Sequence, residues 1–269
     1  MEEKASHPVP SAPHPGLGLS IGIIFITLLF MIVVTVGAAF FLSKKLLLVA
    51  ELSIILPAVV ATVAGRYPFA RVFRLRTVSW SQAVLALLIG VAATVVMDEL
   101  DRLVNLVFPM PEALVHQIKQ LLTISSPEEG VSVVLFAVLA AGLLEEMLFR
   151  GFLQQSFERS IDASRGIVFC ALAFALLHMN PWTSLQILVF GVLLGLLAWR
   201  SDSVLPSAIV HATNNGLSVL GINLGFDQAS WYLWHGHVRP RLLVPALILL
   251  VGSVRLFFAV CRTGETRKT

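Results

Sequence analysis

Glu145 and Glu146 stand side by side in a run that is otherwise apolar enough to cross a bilayer, Ala141-Gly142-Leu143-Leu144-Glu145-Glu146-Met147-Leu148-Phe149-Arg150-Gly151. An ionised side chain at mid-bilayer costs about 2.5–3.5 kcal/mol on insertion scales. Three such groups in so short a stretch require a polar interior built to receive them. The rest of the chain sets the surroundings: 269 residues, 57% hydrophobic and 13% charged, with a mean hydropathy of +0.86. A soluble domain carries about 25% charged residues, so this chain lacks the polar surface to face water all round. It reads as an all-α, polytopic integral membrane protein.

About 20 apolar residues cross a bilayer as helix. That rule marks eight segments, at 17–42, 46–65, 83–107, 131–155, 166–178, 182–199, 204–220 and 242–261. The fifth and seventh are short, as helices wrapped by others can be. The expected fold is therefore about eight transmembrane helices around a buried polar active site. Residues 1–15 read as a disordered tail, 16–262 as the membrane domain and 263–269 as a C-terminal tail. The first apolar run is too long for a signal-peptide core and reads as a retained anchor. The segment from Arg66 to Arg76 mixes Arg with apolar residues and is expected to lie on lipid headgroups. Pro109–Gly130 reads as an amphipathic helix and loop outside the core.

Basic residues follow the even-numbered spans: Arg66, Arg71, Arg74 and Arg76; Arg159 and Arg165; Arg200; Arg262, Arg267 and Lys268. The positive-inside rule then puts both termini in the cytoplasm, in the cell (inner) membrane. Lys44, Lys45, Arg239 and Arg241 run against it. The net charge of +3 is spread over such loops, and no basic patch points to nucleic acid. Cys170 and Cys261 show no CxxC spacing and read as single buried thiols. Trp182, Trp199, Trp231 and Trp234 read as interfacial anchors.

Helical geometry sorts the polar residues within the spans. Glu146 and Arg150 are i,i+4 with the acid first, the favoured order for a helical ion pair. Glu145 is turned about 100° from Glu146, has no basic residue at contact spacing, and is expected to face a cavity. Phe174 and His178 share a face, as do His211 and Asn215. Asn214, turned away from Asn215, is expected to stand aside, and Glu51 to mark a helix end. Together the clusters offer a carboxylate, two imidazoles and a carboxamide. Burial raises a carboxylate's pKa, which suits Glu145 to take a proton from water and return it to a leaving amine. His178 would hold that water, and His211 and Asn215 would donate to an oxyanion. No Ser or Cys stands beside a base as a nucleophile.

Glu145-Glu146-xxx-Arg150, Phe174-xxx-His178 and His211-xxx-Asn215, in that order on successive spans, resemble the three motifs of the CPBP family, the CAAX-protease and bacteriocin-processing (Abi) intramembrane endopeptidases. The motif core covers 131–220, about a third of the chain. The resemblance implies a protease whose water is activated by Glu145 and His178. His211 and Asn215 would form the oxyanion site, with Glu146 and Arg150 positioning the rest. It implies the lipid bilayer and a protein or peptide substrate as partners, such as a C-terminal sorting tag or a peptide precursor. No metal is expected, although Glu145, His178 and His211 could hold Zn²⁺ in an open site; no HExxH spacing accompanies them. A non-catalytic immunity or scaffold protein of the same fold is the alternative. A proton-coupled transporter ranks below it, because the chain shows no paired halves.

Overall fold

The computed structural model describes residues 13–40 and 51–266, and its framework is helical. Helix α1 spans Leu17–Phe40. A 3₁₀ turn, Glu51–Ile55, leads into α2, Leu56–Ala64, and the short α3 is Phe69–Val72. Next come α4, Trp80–Val107, and α5, Glu112–Leu122. Helix α6 runs without a break over Pro127–Ser160. It is followed by α7, Ala163–Leu177, α8, Ser184–Ser201, and α9, Leu205–Leu224. A small hairpin pairs β1, Leu233–Trp234, with β2, His237–Val238, before α10, Pro240–Thr266.

Local chemistry sets the helix starts. Ser79 caps α4 in a reciprocal box with Gln82, Ser126 caps α6 through the Glu129 amide, and Asp162 caps α7 through the Arg165 amide. Each supplies a partner for a backbone N–H that the first turn leaves open. At the far ends, α8 stops at Asp202 and α9 at Gly225, both in the left-handed region. Gly tolerates that conformation without the steric cost of a Cβ.

Five helices, α1, α4, α6, α8 and α10, are long and apolar enough to cross a membrane. Two apolar helices are shorter, Leu52–Ala64 and Ala163–Leu177. Helix α9 covers the expected seventh span but is not among the five; His211, Asn214, Asn215 and Asn223 dilute its apolar character. Among the described residues each of the eight expected segments contains helix, while length and hydropathy single out five. Phe25, Val33, Leu176 and Ile248 turn outward, as on a lipid-facing surface. The protein is an integral membrane protein of the all-α class.

The arginine-rich connection leaves Arg66, Arg71 and Arg76 exposed and builds its middle into the bundle. Val72 and Phe73 are completely buried and Arg74 nearly so. Arg74 forms an ion pair with Glu158 at the end of α6 and a second with Asp202 at 3.2 Å. Gln155 donates to the carbonyls of Arg71 and Val72 at 3.0 and 2.9 Å. The segment plugs one end of the bundle because its apolar side chains and its charge both find partners there. The calls on Lys44, Lys45, Arg267, Lys268 and most of the N-terminal tail lie outside the described residues; His14 and Pro15 do not. Ser156 of α6 donates to the Pro15 carbonyl at 3.1 Å and meets His14 Nδ1 at 3.3 Å.

Two apolar cores flank a polar seam. One gathers Phe73, Phe149, Phe152 and Phe174 with residues of α1 and α2. The other gathers Ile89, Leu194, Leu197, Val210 and Phe257 from α4, α8, α9 and α10. Cys170 and Cys261 are buried free thiols.

Candidate active site

The seam begins on α6. Two π-helical stretches, Val133–Ala140 and Met147–Leu153, flank the α-helical turn Ala141–Glu146 that carries both glutamates. Such π segments are frequent at functional sites. Below that turn, Glu146, Arg150, Gln154 and Glu158 recur every fourth residue as one polar stripe. Glu146, Arg150 and Gln154 are completely buried.

Each member of the stripe has partners. Arg150 Nη1 donates to Glu146 Oε1 at 2.9 Å and Nη2 to the Gly191 carbonyl at 3.2 Å. Gln154 Nε2 donates to Glu158 Oε1 at 2.8 Å and to the Gly195 carbonyl at 3.0 Å. Gly191 and Gly195 are one turn apart on α8, a GxxxG spacing that lets helices approach closely. A Cβ at Gly195 would lie 2.8 Å from Gln154 Oε1, so glycine makes the room this bond occupies. The Arg150 guanidinium also stands 4.2 Å from the Phe174 ring centroid. A desolvated cation–π contact of this kind contributes about 2 kcal/mol.

Glu146 reaches across to α9. His211 Nδ1 lies 2.9 Å from Glu146 Oε1, and the imidazole is almost wholly buried. Phe174 and Phe190 hold that ring edge-on from either side, at 5.9 and 5.8 Å between centroids. His178, at the C-cap of α7, places Nδ1 2.8 Å from the Phe174 carbonyl. A carbonyl only accepts, so Nδ1 carries the hydrogen. Asn215 Nδ2 donates to the Ala137 carbonyl at 3.0 Å, tying α9 to the first π segment.

A cavity of about 220 Å³ brings these groups together. His178, His211, Asn214 and Asn215 line it, with Phe174, Phe190, Gln186 and Thr183 among the other wall residues. Asn214 therefore does not stand aside as the helical angle implied; the cavity is broad enough to border both carboxamides. Glu145 is buried and is not one of the described residues that line this wall. Glu146 and Arg150 sit behind His211. The Glu51 side chain and His7 lie outside the described residues. Of the remaining histidines, His237 in β2 of the hairpin pairs with Glu99 of α4 at 2.8 Å and is not one of the residues that line the cavity. Among the described residues, no three His, Cys, Asp or Glu side chains are grouped so as to hold a metal ion. The set Glu145, His178 and His211 is not among such groups.

Residues 127–217 match the family described as type II CAAX prenyl endopeptidase Rce1-like. This stretch is a CAAX-protease-like domain. It contains α6, α7, α8 and the part of α9 that bears His211 and Asn215, so the match spans the whole polar seam. The family is one of proteases, which places the domain among peptidases acting on a peptide or protein at a membrane. No curated protein matches the chain, and no solved structure does.

Gln154, Gln155 and Gln186 were not singled out from the sequence. For the first the signal was present: the four-residue spacing from Glu146 through Arg150 continues to Gln154 and Glu158.

Proposed function

We propose that the protein is an intramembrane endopeptidase that hydrolyses a peptide bond with an activated water, in a protein's C-terminal tail or a peptide precursor. The reading is carried by one observation, a cavity bordered by His178, His211 and Asn215 and backed by the buried Glu146–Arg150 pair. It takes the protein to be multi-pass, with about eight helices enclosing the site and both termini cytoplasmic.

Register supports a role for Glu145 beside His178. Phe149 of α6 packs edge-on against Phe174 of the antiparallel α7, 4.9 Å between centroids. Glu145 precedes Phe149 by about one turn, and His178 follows Phe174 by one turn. Both therefore occupy the next level along the same pair of helices, away from the arginine-rich end.

In the proposed step, water adds to the scissile carbonyl carbon as Glu145 takes one of its protons. His178 Nε2 accepts a hydrogen bond from the same water and fixes its direction. The new oxyanion accepts from Asn215 Nδ2–H and from Nε2–H of a doubly protonated His211. The Glu146 carboxylate, held by Arg150, is the counter-ion for that imidazolium. Collapse breaks the C–N bond, and Glu145 returns its proton to the leaving amine.

Protein C-termini and released peptides can be compared by mass spectrometry in host membranes carrying wild type, Glu145→Ala or His178→Ala. Either variant should accumulate in the membrane to normal levels while processed termini disappear. Full processing by both would overturn the mechanism.

A further inference from the structure

Two ends of the bundle can be told apart by their partners. At one, Arg74 joins Glu158 and Asp202, and Arg76 meets Asp202 at 2.7 Å, so the connections after α3, α6 and α8 come together. Arg66, Arg71, Arg159, Arg165 and Arg200 belong to these same connections or the helix ends beside them. At the other, the acidic last third of α4 meets the hairpin region: Glu99 pairs with His237, and Tyr232 donates to Asp98 at 2.9 Å. Burial, together with that carboxylate, pushes the Tyr232 phenol above its ordinary range.

The cavity belongs to the second end. His178 caps the C-terminus of α7, whose N-cap Asp162 lies at the arginine end. A helix of 15 residues rises about 22 Å, so His178 is most of a hydrocarbon thickness away from those arginines. Thr183 and Gln186 line the cavity from the opposite end of α8 to Arg200. His211 lies deeper, toward the middle of the bundle, so the wall runs from a mouth at the acidic end to a floor near mid-membrane.

We infer that this cavity receives its peptide from the non-cytoplasmic side, so that the bond it cleaves lies in a segment already carried across the membrane. Lys and Arg in short loops mark the cytoplasmic face, and the mouth lies at the end remote from the larger group of them, with Arg239 and Arg241 beside the hairpin as the exceptions. The wall agrees with such a substrate: among the described residues its polar members are carboxamides, a hydroxyl and imidazoles, with no Asp, Glu, Lys or Arg. Carboxamides both donate and accept, as an extended backbone of uncharged residues requires. The inference rests on the peptidase reading and on the orientation proposed with it.

Thiol labelling on intact cells tests access without needing catalysis. Thr183→Cys and Gln186→Cys place a thiol at the mouth, and the wild-type chain with its buried Cys170 and Cys261 is the blank. Exposed Trp231→Cys reports the hairpin end, and exposed Arg165→Cys the arginine end. A membrane-impermeant charged thiol reagent should label Thr183→Cys, Gln186→Cys and Trp231→Cys before permeabilisation and Arg165→Cys only after it. Labelling of both mouth positions only after permeabilisation, or failure of both to react from either side, would overturn the inference. The same pattern is expected in a Glu145→Ala background. Lost proteolysis with unchanged labelling thus bears on chemistry, and changed labelling with intact proteolysis bears on access.

Discussion

His211 Nδ1 and Arg150 Nη1 share one oxygen of Glu146, each at 2.9 Å. The carboxylate accepts from both, so a residue whose sequence position suggested only a helical ion pair also orients a wall residue of the cavity. Arg150 keeps Glu146 in place, and Glu146 keeps the second nitrogen of His211 turned away from itself.

Breaking this arrangement separates stability from chemistry. Removing one member of a buried ion pair costs about 3–5 kcal/mol, because the other charge is left without compensation. Glu146→Gln should therefore lower the unfolding temperature in detergent sharply and abolish processing. Adding Arg150→Met removes the stranded cation, and much of the stability should return. Processing should stay absent, since the proposed oxyanion donor His211 still lacks the carboxylate that holds its Nδ1. Recovery of processing along with stability would reduce Glu146 to a structural role.

Asn215 carries two loads that substitution can distinguish. Asn215→Ala loses the bond to the Ala137 carbonyl, worth about 1 kcal/mol net. It also loses a proposed oxyanion donor, which costs about 10²–10³ in turnover. Asn215→Asp keeps the shape but offers a carboxylate where a donor is needed, so it should be no faster than Ala. A near-normal rate in Asn215→Asp would remove this residue from the oxyanion site.

How far these relationships were legible depends on where the partner lies. Glu146 and Arg150 could be paired from the sequence because both sit on one helix, four residues apart. The bond from Glu146 to His211 joins residues 65 positions apart, and no periodicity within α6 or α9 announces it. Arg66 to Arg76 reads as an interfacial segment by composition. Its middle, Val72 to Arg74, is buried because Glu158, Asp202 and Gln155 await it, all distant in the chain, while Arg66, Arg71 and Arg76 stay exposed. Asn214 borders the cavity beside Asn215 although the two are about 100° apart on α9, since that angle does not exclude a side chain from a cavity wider than one residue.

His14 should respond to acid. Burial pushes its imidazole down to about 4, with Arg159 and Arg74 acting in the same direction and the hydrogen bond with Pro15 opposing them. Undocked, the ring has its ordinary value of 6.5 and takes up a proton more readily than the docked ring. Docking of the N-terminal segment is thus fully stable above that value and weakens as pH falls through the window down to about 4. Hydrogen exchange in the first turn of α1 should speed up across this window in wild type. His14→Phe, which fills the space without titrating, should show no such dependence, and equal pH responses would remove His14 as the cause.

Close packing around the polar stripe predicts an order among three Gly→Ala variants. A Cβ at Gly151 would lie 2.7 Å from Phe73 Cα and 2.9 Å from its carbonyl carbon and oxygen. These are backbone atoms of the buried plug, so relief requires moving the plug off α6 and straining the Arg74–Glu158 pair. Gly195 is also tight, but the atoms it would meet, Gln154 Oε1 and Ile167 Cγ2, belong to side chains that can turn aside. Gly252 has nothing within 4 Å, and there Ala gains about 1 kcal/mol of helix propensity over Gly. Overpacking costs about 1–3 kcal/mol, so Gly151→Ala should unfold at the lowest temperature, Gly195→Ala between, and Gly252→Ala at or above wild type. Gly195→Ala should also slow processing by more than its stability loss explains, because displacing Gln154 disturbs the stripe that supports Arg150. Thermal unfolding in one detergent, with processing measured well below every midpoint, checks both parts. If Gly151→Ala proved as stable as Gly252→Ala, Phe73 would not be seated against α6 as described.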